Sequence, residues 1–570
     1  MTSADMDYAP HRRARTTTSG GAFGRPLVDN ELHAPTVVDA IALNAGDATV
    51  TVLDEDNLGT AVSWATVHQQ ARRLATVLSA NGIGPNRRVG LLGDTSTELI
   101  SALQAVWLCG AAVTMLPAFT PGSRDEHARN VAATTADARL DLVIVDPLSA
   151  PAAQFVPART MALADLVTAA QNADPSEARR TDPDSLALLQ YTSGSTRAPR
   201  GVPVSHAHLV ANIAAIRASV EYDGCHRDRV LSWLPLYHDL GLICFLALPM
   251  SCGGELVLQS PMAFARRPAA WLEAISKYRI TVSGAPNFAY ELMTRVLARD
   301  SQLDLSSLRL LISGGEPVNA DTMARFTAAA QRCGMDPSVV VPAYGLAEAT
   351  VAVTIAPLGA GVVVDRVDSL ALESTGRAIP AAPGARVRHL VRLGPAVRDT
   401  SIRIVDQRTG APLGERTVGH IELRGPSVVG HGWLRTGDIG YLTHDRQLVV
   451  CGRAKDMLIA CGRNIFPQDV EAAAARAPGM RPGRVAAFGI PGDLGDNLVI
   501  AVEATGDDTA ELRRDISAAV LDGVGLRPHA VIVLPPGGLP RTSSGKLRRA
   551  ETRHRYAAEA LTGTRERTFH

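Results

Sequence analysis

From Gln190 to Gly201 the chain reads Gln-Tyr-Thr-Ser-Gly-Ser-Thr-Arg-Ala-Pro-Arg-Gly. Four hydroxyls (Thr192, Ser193, Ser195, Thr196), the flexible Gly194 and the guanidinium groups of Arg197 and Arg200 fall within nine residues. Successive backbone N–H groups in such a turn form an anion-binding concavity, and hydroxyl and guanidinium donors suit phosphate oxygens. The plain alternative is a solvated Ser/Thr loop. The density of donors between an apolar strand pattern (186–191) and a helical pattern (206–219) favours phosphate. The spacing is not that of a Walker A loop, and no GxGxxG, HExxH or GxSxG occurs, so simple nicotinamide, zinc-protease and hydrolase chemistries lose support.

Four further patches follow in order. Ser232-Trp-Leu-Pro-Leu-Tyr-His-Asp-Leu-Gly241 sets an imidazole, His238, beside Asp239. Val341-Pro-Ala-Tyr-Gly-Leu-Ala-Glu-Ala-Thr350 carries Tyr344, Gly345, Leu346 and Glu348. Trp433-Leu-Arg-Thr-Gly-Asp438 ends on a carboxylate, and Gly452-Arg-Ala-Lys-Asp456 runs on to Gly462-Arg-Asn464. Each has a structural alternative: His238 as a core histidine, Glu348 as a helix N-terminal acid, Asp438 as a turn former, Arg453 and Asp456 as a surface ion pair. The four together, in this order, argue against unrelated accidents. Lysine is scarce, occurring only at Lys277, Lys455 and Lys546 among 57 basic residues. A coding bias toward arginine would spare lysine mainly where a compact, flexible point charge is needed, and two of the three lie in motifs.

These groups need a large scaffold. The chain has 570 residues, enough for two to four domains. Basic and acidic residues balance at 57 each, which speaks against non-specific nucleic-acid binding and against a polybasic membrane surface. The seven cysteines are scattered without a CxxC pair, so a zinc ribbon or a disulfide framework is disfavoured and a reducing, cytoplasmic setting is expected. The apolar run at 241–250 is too short to span a bilayer and reads as a buried segment. Helical and strand patterns alternate from about residue 36: helices at 64–81, 96–110 and 206–219, and strands at 88–92, 111–116, 140–145, 186–191, 281–283, 308–313 and 339–343. That alternation predicts a layered α/β domain with parallel sheets. Strands at 400–405 and 419–423 alternate as antiparallel ones do. A compact α+β unit of about a hundred residues closes the chain, with helices at 469–477 and 510–522. The expected division is a mobile tail at 1–35, a large domain at 36–454 and a small one at 455–570.

The chain resembles the adenylate-forming superfamily of acyl-CoA synthetases, luciferase and peptide-synthetase adenylation domains, from about Thr36 to Tyr556. Within it, LQYTSGSTRAPRGVPVSH, WLPLYHDLGL, SGAPNFAYEL and GRNIFPQDVE resemble the fatty acyl-AMP ligase branch. That branch carries an extra segment, here 364–393, which in the family disfavours coenzyme A as acceptor. The resemblance implies a β-barrel-like subdomain in the large domain and a mobile small domain. It implies that a fatty acid attacks ATP to give acyl-AMP and pyrophosphate, and that the acyl group passes to the phosphopantetheine of an acyl carrier protein in lipid, polyketide or lipopeptide biosynthesis. Thr192, Ser193, Gly194, Ser195, Thr196, Arg197 and Arg200 would cradle phosphates. Glu348, with Thr192 or Thr196, would hold Mg²⁺. Tyr344, beside Gly345 and Leu346, would stack on adenine, and Gly314, Gly315, Glu316 and Pro317 would line its other side. Asp438 would accept from the ribose hydroxyls, with Arg453 beside it. Lys455 would be the interdomain hinge. Lys546 would be the catalytic lysine bridging the acyl carboxylate and the α-phosphate, and His238 a gate near that carboxylate.

Two departures stand out. Arg200 replaces a common lysine, keeping charge but changing geometry. The segment Gly425-Pro-Ser-Val-Val-Gly-His-Gly-Trp433 lacks a longer stretch usual in the family. Competing readings are a conventional acyl-CoA ligase, an amino-acid adenylation domain (Asp239 being the one tempting partner for an ammonium group) and a non-catalytic adenylate- or carrier-binding homologue.

Overall fold

The computed structural model describes residues 21–23, 34–117, 124–192, 200–223, 228–299, 302–480, 483–492, 495–504, 509–541, 547–558 and 564–567. Two parallel-dominated sheets make the first layers. A six-stranded sheet runs in the order Arg159–Ala162, Leu142–Val145, Arg88–Leu92, Ala112–Leu116, Leu186–Thr192 and Arg200–Ser205, antiparallel only at the last pair. An eight-stranded sheet runs Ala352–Ile355, Val340–Gly345, Leu310–Ser313, Val282–Ala285, Arg229–Ser232, Glu255–Gln259, Thr49–Leu53 and Ala61–Ser63, antiparallel at both edges. Strands such as Ala112–Leu116 are buried along their whole length, because helices cover both faces and leave no solvent side to alternate with. One apolar core containing Val89, Val113, Leu231, Val282 and Leu311 joins the two sheets and the helices between them. The apolar run at 241–250 is buried as expected, but as a π-helix, Leu240–Ala247, continuing into Leu248–Ser251. No described helix is long and apolar enough to cross a membrane.

A third sheet is antiparallel, in the order Gly21–Phe23, Ser401–Val405, Gly419–Arg424, Leu434–Leu442 and Leu448–Arg453. It buries apolar side chains on both faces, Ile402, Ile421 and Leu423 on one and Ile439, Tyr441 and Val449 on the other. The barrel-like subdomain implied by the resemblance is thus an open five-stranded sheet: among the described residues no pairing closes it. Its edge strand comes from within the stretch expected as a tail, Gly21 lying opposite Arg403 and Phe23 opposite Ser401. An exposed edge offers free N–H and C=O groups that any extended segment can satisfy.

The extra segment forms an antiparallel hairpin, Val364–Asp368 with Val387–Val391, and a short helix, Ser369–Thr375. The last sheet runs Arg463–Ile465, Leu458–Ala460, Gly495–Glu503, Ala530–Leu534 and Thr564–Arg567, with Val485–Gly492 also on Gly495–Glu503. It has its own apolar core, including Val470, Val485, Ile500, Ile516 and Val520.

Candidate active site

The centre of the site is a carboxylate held from two sides. Asp438 and Arg453 lie opposite each other in the register of Leu434–Leu442 and Leu448–Arg453. Arg453 Nε is 3.2 Å from Asp438 Oδ1. Tyr344, at the end of Val340–Gly345 in another sheet, donates its hydroxyl to Asp438 Oδ2 at 2.6 Å. The backbone N–H of Asp438 donates to Thr436 Oγ1 at 3.0 Å, and left-handed Gly437 (φ 81°) makes that tight turn possible. Burial pushes the Asp438 carboxyl above the usual carboxylate range; the Arg453 charge and the Tyr344 hydrogen bond oppose this, while Asp456 and Glu348 reinforce it. Burial, then the Asp438 charge, drives the Tyr344 hydroxyl well above the ordinary phenol range, so it remains a donor.

Glu348 sits half-buried in the 3₁₀ turn Ala347–Ala349. Among the described residues no side chain pairs with its carboxylate, and no cluster of three or more His, Cys, Asp or Glu forms a cation cage. A lone carboxylate of this kind fits Mg²⁺, which is bound by one or two carboxylates together with phosphate oxygens. Gly345 is required here, because a Cβ would fall 1.7 Å from the carbonyl oxygen of Val351.

The segments expected to line the site are each held in place. Gly314 and Gly315 follow Leu310–Ser313: a Cβ on Gly314 would lie 3.3 Å from the Ala343 carbonyl, and one on Gly315 3.7 Å from Leu240 Cδ2. Glu316 Oε1 accepts from the Phe288 N–H at 2.7 Å, fixing the turn that ends at Pro317. His238 is half-buried, its ring tilted 49° against Tyr237 at 4.8 Å, and it leads into the π-helix at Leu240. Burial pushes Tyr237 up to about 12. Gln190 Nε2 donates to the Tyr237 carbonyl at 2.9 Å, tying the His238 segment to the strand that enters the phosphate-type loop.

A family model described as AMP-binding enzyme matches residues 38–431. The chain belongs to the AMP-binding enzyme family. A ligase of Mycobacterium tuberculosis is 38% identical over 539 residues, covering 89% of this chain and 97% of its own length. A long-chain-fatty-acid–AMP ligase of Mycobacterium marinum is 32% identical, covering 89% and 94%. A solved structure from work on fatty acyl-adenylate ligases of E. coli and L. pneumophila superposes with a TM-score of 0.86 at 33% identity, covering 93% of this chain and 99% of that one.

In this AMP-binding enzyme the structure brings together Tyr344, Gly345, Asp438 and Arg453, and packs Gly314 and Gly315 against the Tyr344 strand and the His238 segment. Arg453 pairs with Asp438, and Asp456 turns instead to Arg549 at 3.8 Å. Leu346 packs on the core of the antiparallel sheet. Arg200 is exposed, at the start of Arg200–Ser205, and its backbone pairs with that of Thr192. The loop therefore joins two antiparallel strands, and the helix begins only at His206; sequence reading had put the loop directly before that helix. Lys455 is exposed in the 3₁₀ turn Ala454–Asp456. Ser193, Gly194, Ser195, Thr196, Arg197 and Lys546 lie outside the described residues, as does the side chain of Thr192. Sequence reading gave no role to Gln190, Asn212, Thr350 or Thr436. Beside any local bonds, each reaches a partner far along the chain (Tyr237, Ala352, Ser427 and Ile421, 47, 140, 77 and 15 residues away), which no local pattern marks.

Proposed function

We propose that this AMP-binding enzyme activates a fatty acid with ATP as acyl-AMP and passes the acyl group to the phosphopantetheine thiol of an acyl carrier protein. The acid's carboxylate oxygen attacks the α-phosphorus; the bond from that phosphorus to the β-bridging oxygen breaks, and pyrophosphate leaves with the electron pair. The observation that carries the reading is the Tyr344–Asp438–Arg453 arrangement. A buried carboxylate held by a guanidinium and a phenol keeps acceptor lone pairs for a vicinal diol, which is what a ribose presents. Tyr344's hydroxyl engages Asp438 through the ring edge, so adenine stacking would use a different part of the ring, the face.

Glu348 and Thr192 would hold Mg²⁺, which supplies charge neutralisation on the phosphate oxygens when bound. Thr192 to Arg197 and Arg200 would hold the β- and γ-phosphates. Lys546 would bridge the acyl carboxylate and the α-phosphate as two anions converge. His238 would stand near that carboxylate. Lys455 would be the hinge between a large domain (36–454) and a small one (455–570). The similarity to fatty-acid–AMP ligases supports the acid class.

The test is ATP–pyrophosphate exchange over a series of fatty acids, followed by addition of coenzyme A or of a phosphopantetheinylated carrier protein, with products read by mass. Acyl-AMP and acyl-carrier without acyl-CoA support the proposal; abundant acyl-CoA makes the protein a conventional synthetase. Lys546→Ala should abolish acyl-AMP formation while ATP binding survives, and unchanged adenylation in that variant refutes the role of Lys546.

A further inference from the structure

The turn that carries Glu348 is held in a conformation its own residues disfavour. Thr350 has φ 68° and ψ −63°, and the Val351 N–H donates to the Ala349 carbonyl at 2.8 Å. This is a three-residue γ-turn of the rare, positive-φ kind. A β-branched residue at positive φ is an outlier, and such geometry persists only where the surroundings over-determine it.

The surroundings do so from two directions. Thr350 is fully buried and its Oγ1 donates to the Ser427 carbonyl at 2.7 Å. Two residues on, the Val429 N–H donates to the backbone carbonyl of Glu348 itself at 2.8 Å. From the opposite side Asn212, also fully buried, donates to the Ala352 carbonyl at 2.9 Å and accepts from the Ala352 N–H at 3.0 Å. Asn212 belongs to His206–Ser219, the helix that follows the phosphate-type hairpin. Ser427 and Val429 belong to the shortened segment before Trp433. Ala347 and Ala349 are buried on either side, and Glu348 between them is the residue left partly open.

We propose that Thr350 is a positioning residue: through the γ-turn and its hydroxyl bond to the shortened 425–432 segment, it aims the Glu348 carboxylate at the cation of a cation–ATP complex. The inference rests on the reading of Glu348 as a cation ligand. Loss of the Thr350 hydroxyl leaves the turn one anchor fewer, so Glu348 samples other directions. Glycine at 350 accepts positive φ without strain, which separates aim from stability.

The experiment uses the full chain and three variants: Thr350→Gly, Thr350→Ser and Glu348→Gln. ATP affinity is measured by calorimetry with Mg²⁺ and with EDTA, the Mg²⁺ dependence by ATP–pyrophosphate exchange, and folding by thermal melts. Second-sphere changes commonly weaken metal affinity about 10- to 100-fold, so Thr350→Gly and Glu348→Gln should raise the half-saturating Mg²⁺ concentration about tenfold. ATP affinity in EDTA should stay at the wild-type value in Thr350→Gly, and Thr350→Ser should return Mg²⁺ dependence to the wild-type value. Unaltered Mg²⁺ dependence in Thr350→Gly, beside a shifted Glu348→Gln, overturns the positioning role alone. Unaltered dependence in Glu348→Gln overturns the ligand reading and the inference with it. Should Thr350→Gly fail to fold, Thr350→Ser is compared with Thr350→Val, which keeps the shape without the hydroxyl; equal Mg²⁺ dependence in those two overturns the proposal.

Discussion

Asp438 shows how a few contacts set the chemistry of one side chain. Burial alone favours its neutral form, while Arg453 and the Tyr344 hydroxyl favour the carboxylate, the form able to accept from both hydroxyls of a diol. Tyr344→Phe removes one of those donors and keeps the ring. A hydrogen bond to a charged acceptor contributes about 1.5–3 kcal/mol, so the KM for ATP should rise about tenfold at neutral pH, with kcat less affected. The sign of the pH effect is set by the same bond. Without the hydroxyl the Asp438 pKa rises further, so its ionised form is lost sooner as pH falls. The acid limb of ATP affinity in Tyr344→Phe should therefore move to higher pH. A KM–pH profile compared with wild type checks this, and an unmoved limb would count against the carboxylate as the ribose acceptor.

At the scale of elements, the helix His206–Ser219 does more than pack. Its N-terminus carries a capping box, Ser205 with His208, which satisfies two of the free N–H groups a helix start exposes. Its middle presents Asn212 to both backbone groups of Ala352. Asn212→Ala leaves a buried N–H and a buried C=O without partners, each costing about 1–3 kcal/mol. The expected loss is about 2–6 kcal/mol, read from the shift in denaturant midpoint. His206, at the first helical position, is buried beside Trp107 and held neutral, its pKa pushed down to about 4 by burial with weak opposition from Asp39. Between that value and the ordinary 6.5 the unfolded chain binds the extra proton and the folded chain does not. Stability thus falls as pH drops through this window, by up to about 3 kcal/mol at one proton. His206→Phe should flatten that part of a melting-temperature profile between pH 6.5 and 4.

For the whole molecule, the extra segment is the part that ties distant pieces together. Glu373, 2% exposed, accepts from Arg386 at 3.0 Å within the segment and pairs with Arg463, whose terminal nitrogen Nη2 in that pair also donates to the Val524 carbonyl at 2.7 Å. Arg388 pairs with Asp469 at 2.9 Å, donates to the Cys451 carbonyl at 2.8 Å and lies over the Phe466 ring at 4.2 Å. At its base Asp365 accepts from Tyr441 at 2.6 Å and pairs with Arg416 at 3.0 Å. The segment thus grips both the strands that bear Asp438 and Arg453 and the sheet that follows them. Removing one partner of a buried pair leaves an uncompensated charge, so Glu373→Gln should loosen this grip while acyl-AMP formation continues. If the grip is what disfavours coenzyme A, the ratio of acyl-CoA to acyl-carrier product should rise in that variant. Mass analysis with both acceptors present reads it, and an unchanged ratio would detach the segment from acceptor choice.

Much of this was legible in local sequence because local physics writes it there. The strand at 88–92 was bounded to the residue, and the helix at 64–81 to within one, since an apolar period and flanking caps are properties of adjacent residues. The order of the motifs was enough for the family, and apolarity showed 241–250 to be buried. Apolarity did not show a π-helix there, because every turn of it is buried and no face distinguishes one helical period from another. The open edge of the antiparallel sheet, completed by Gly21–Phe23, was likewise hidden: three residues form no pattern of their own until Ser401–Arg403 offers them a partner. The residue types at Tyr344, Glu348, Asp438 and Arg453 came from sequence alone. Only the tertiary structure decided that Tyr344 meets Asp438 across 94 positions, that Asp456 turns to Arg549, and that Thr350 and Asn212 hold the turn that carries Glu348. Such contacts are set by strand register and the packing of separate sheets, quantities that no stretch of neighbouring residues contains.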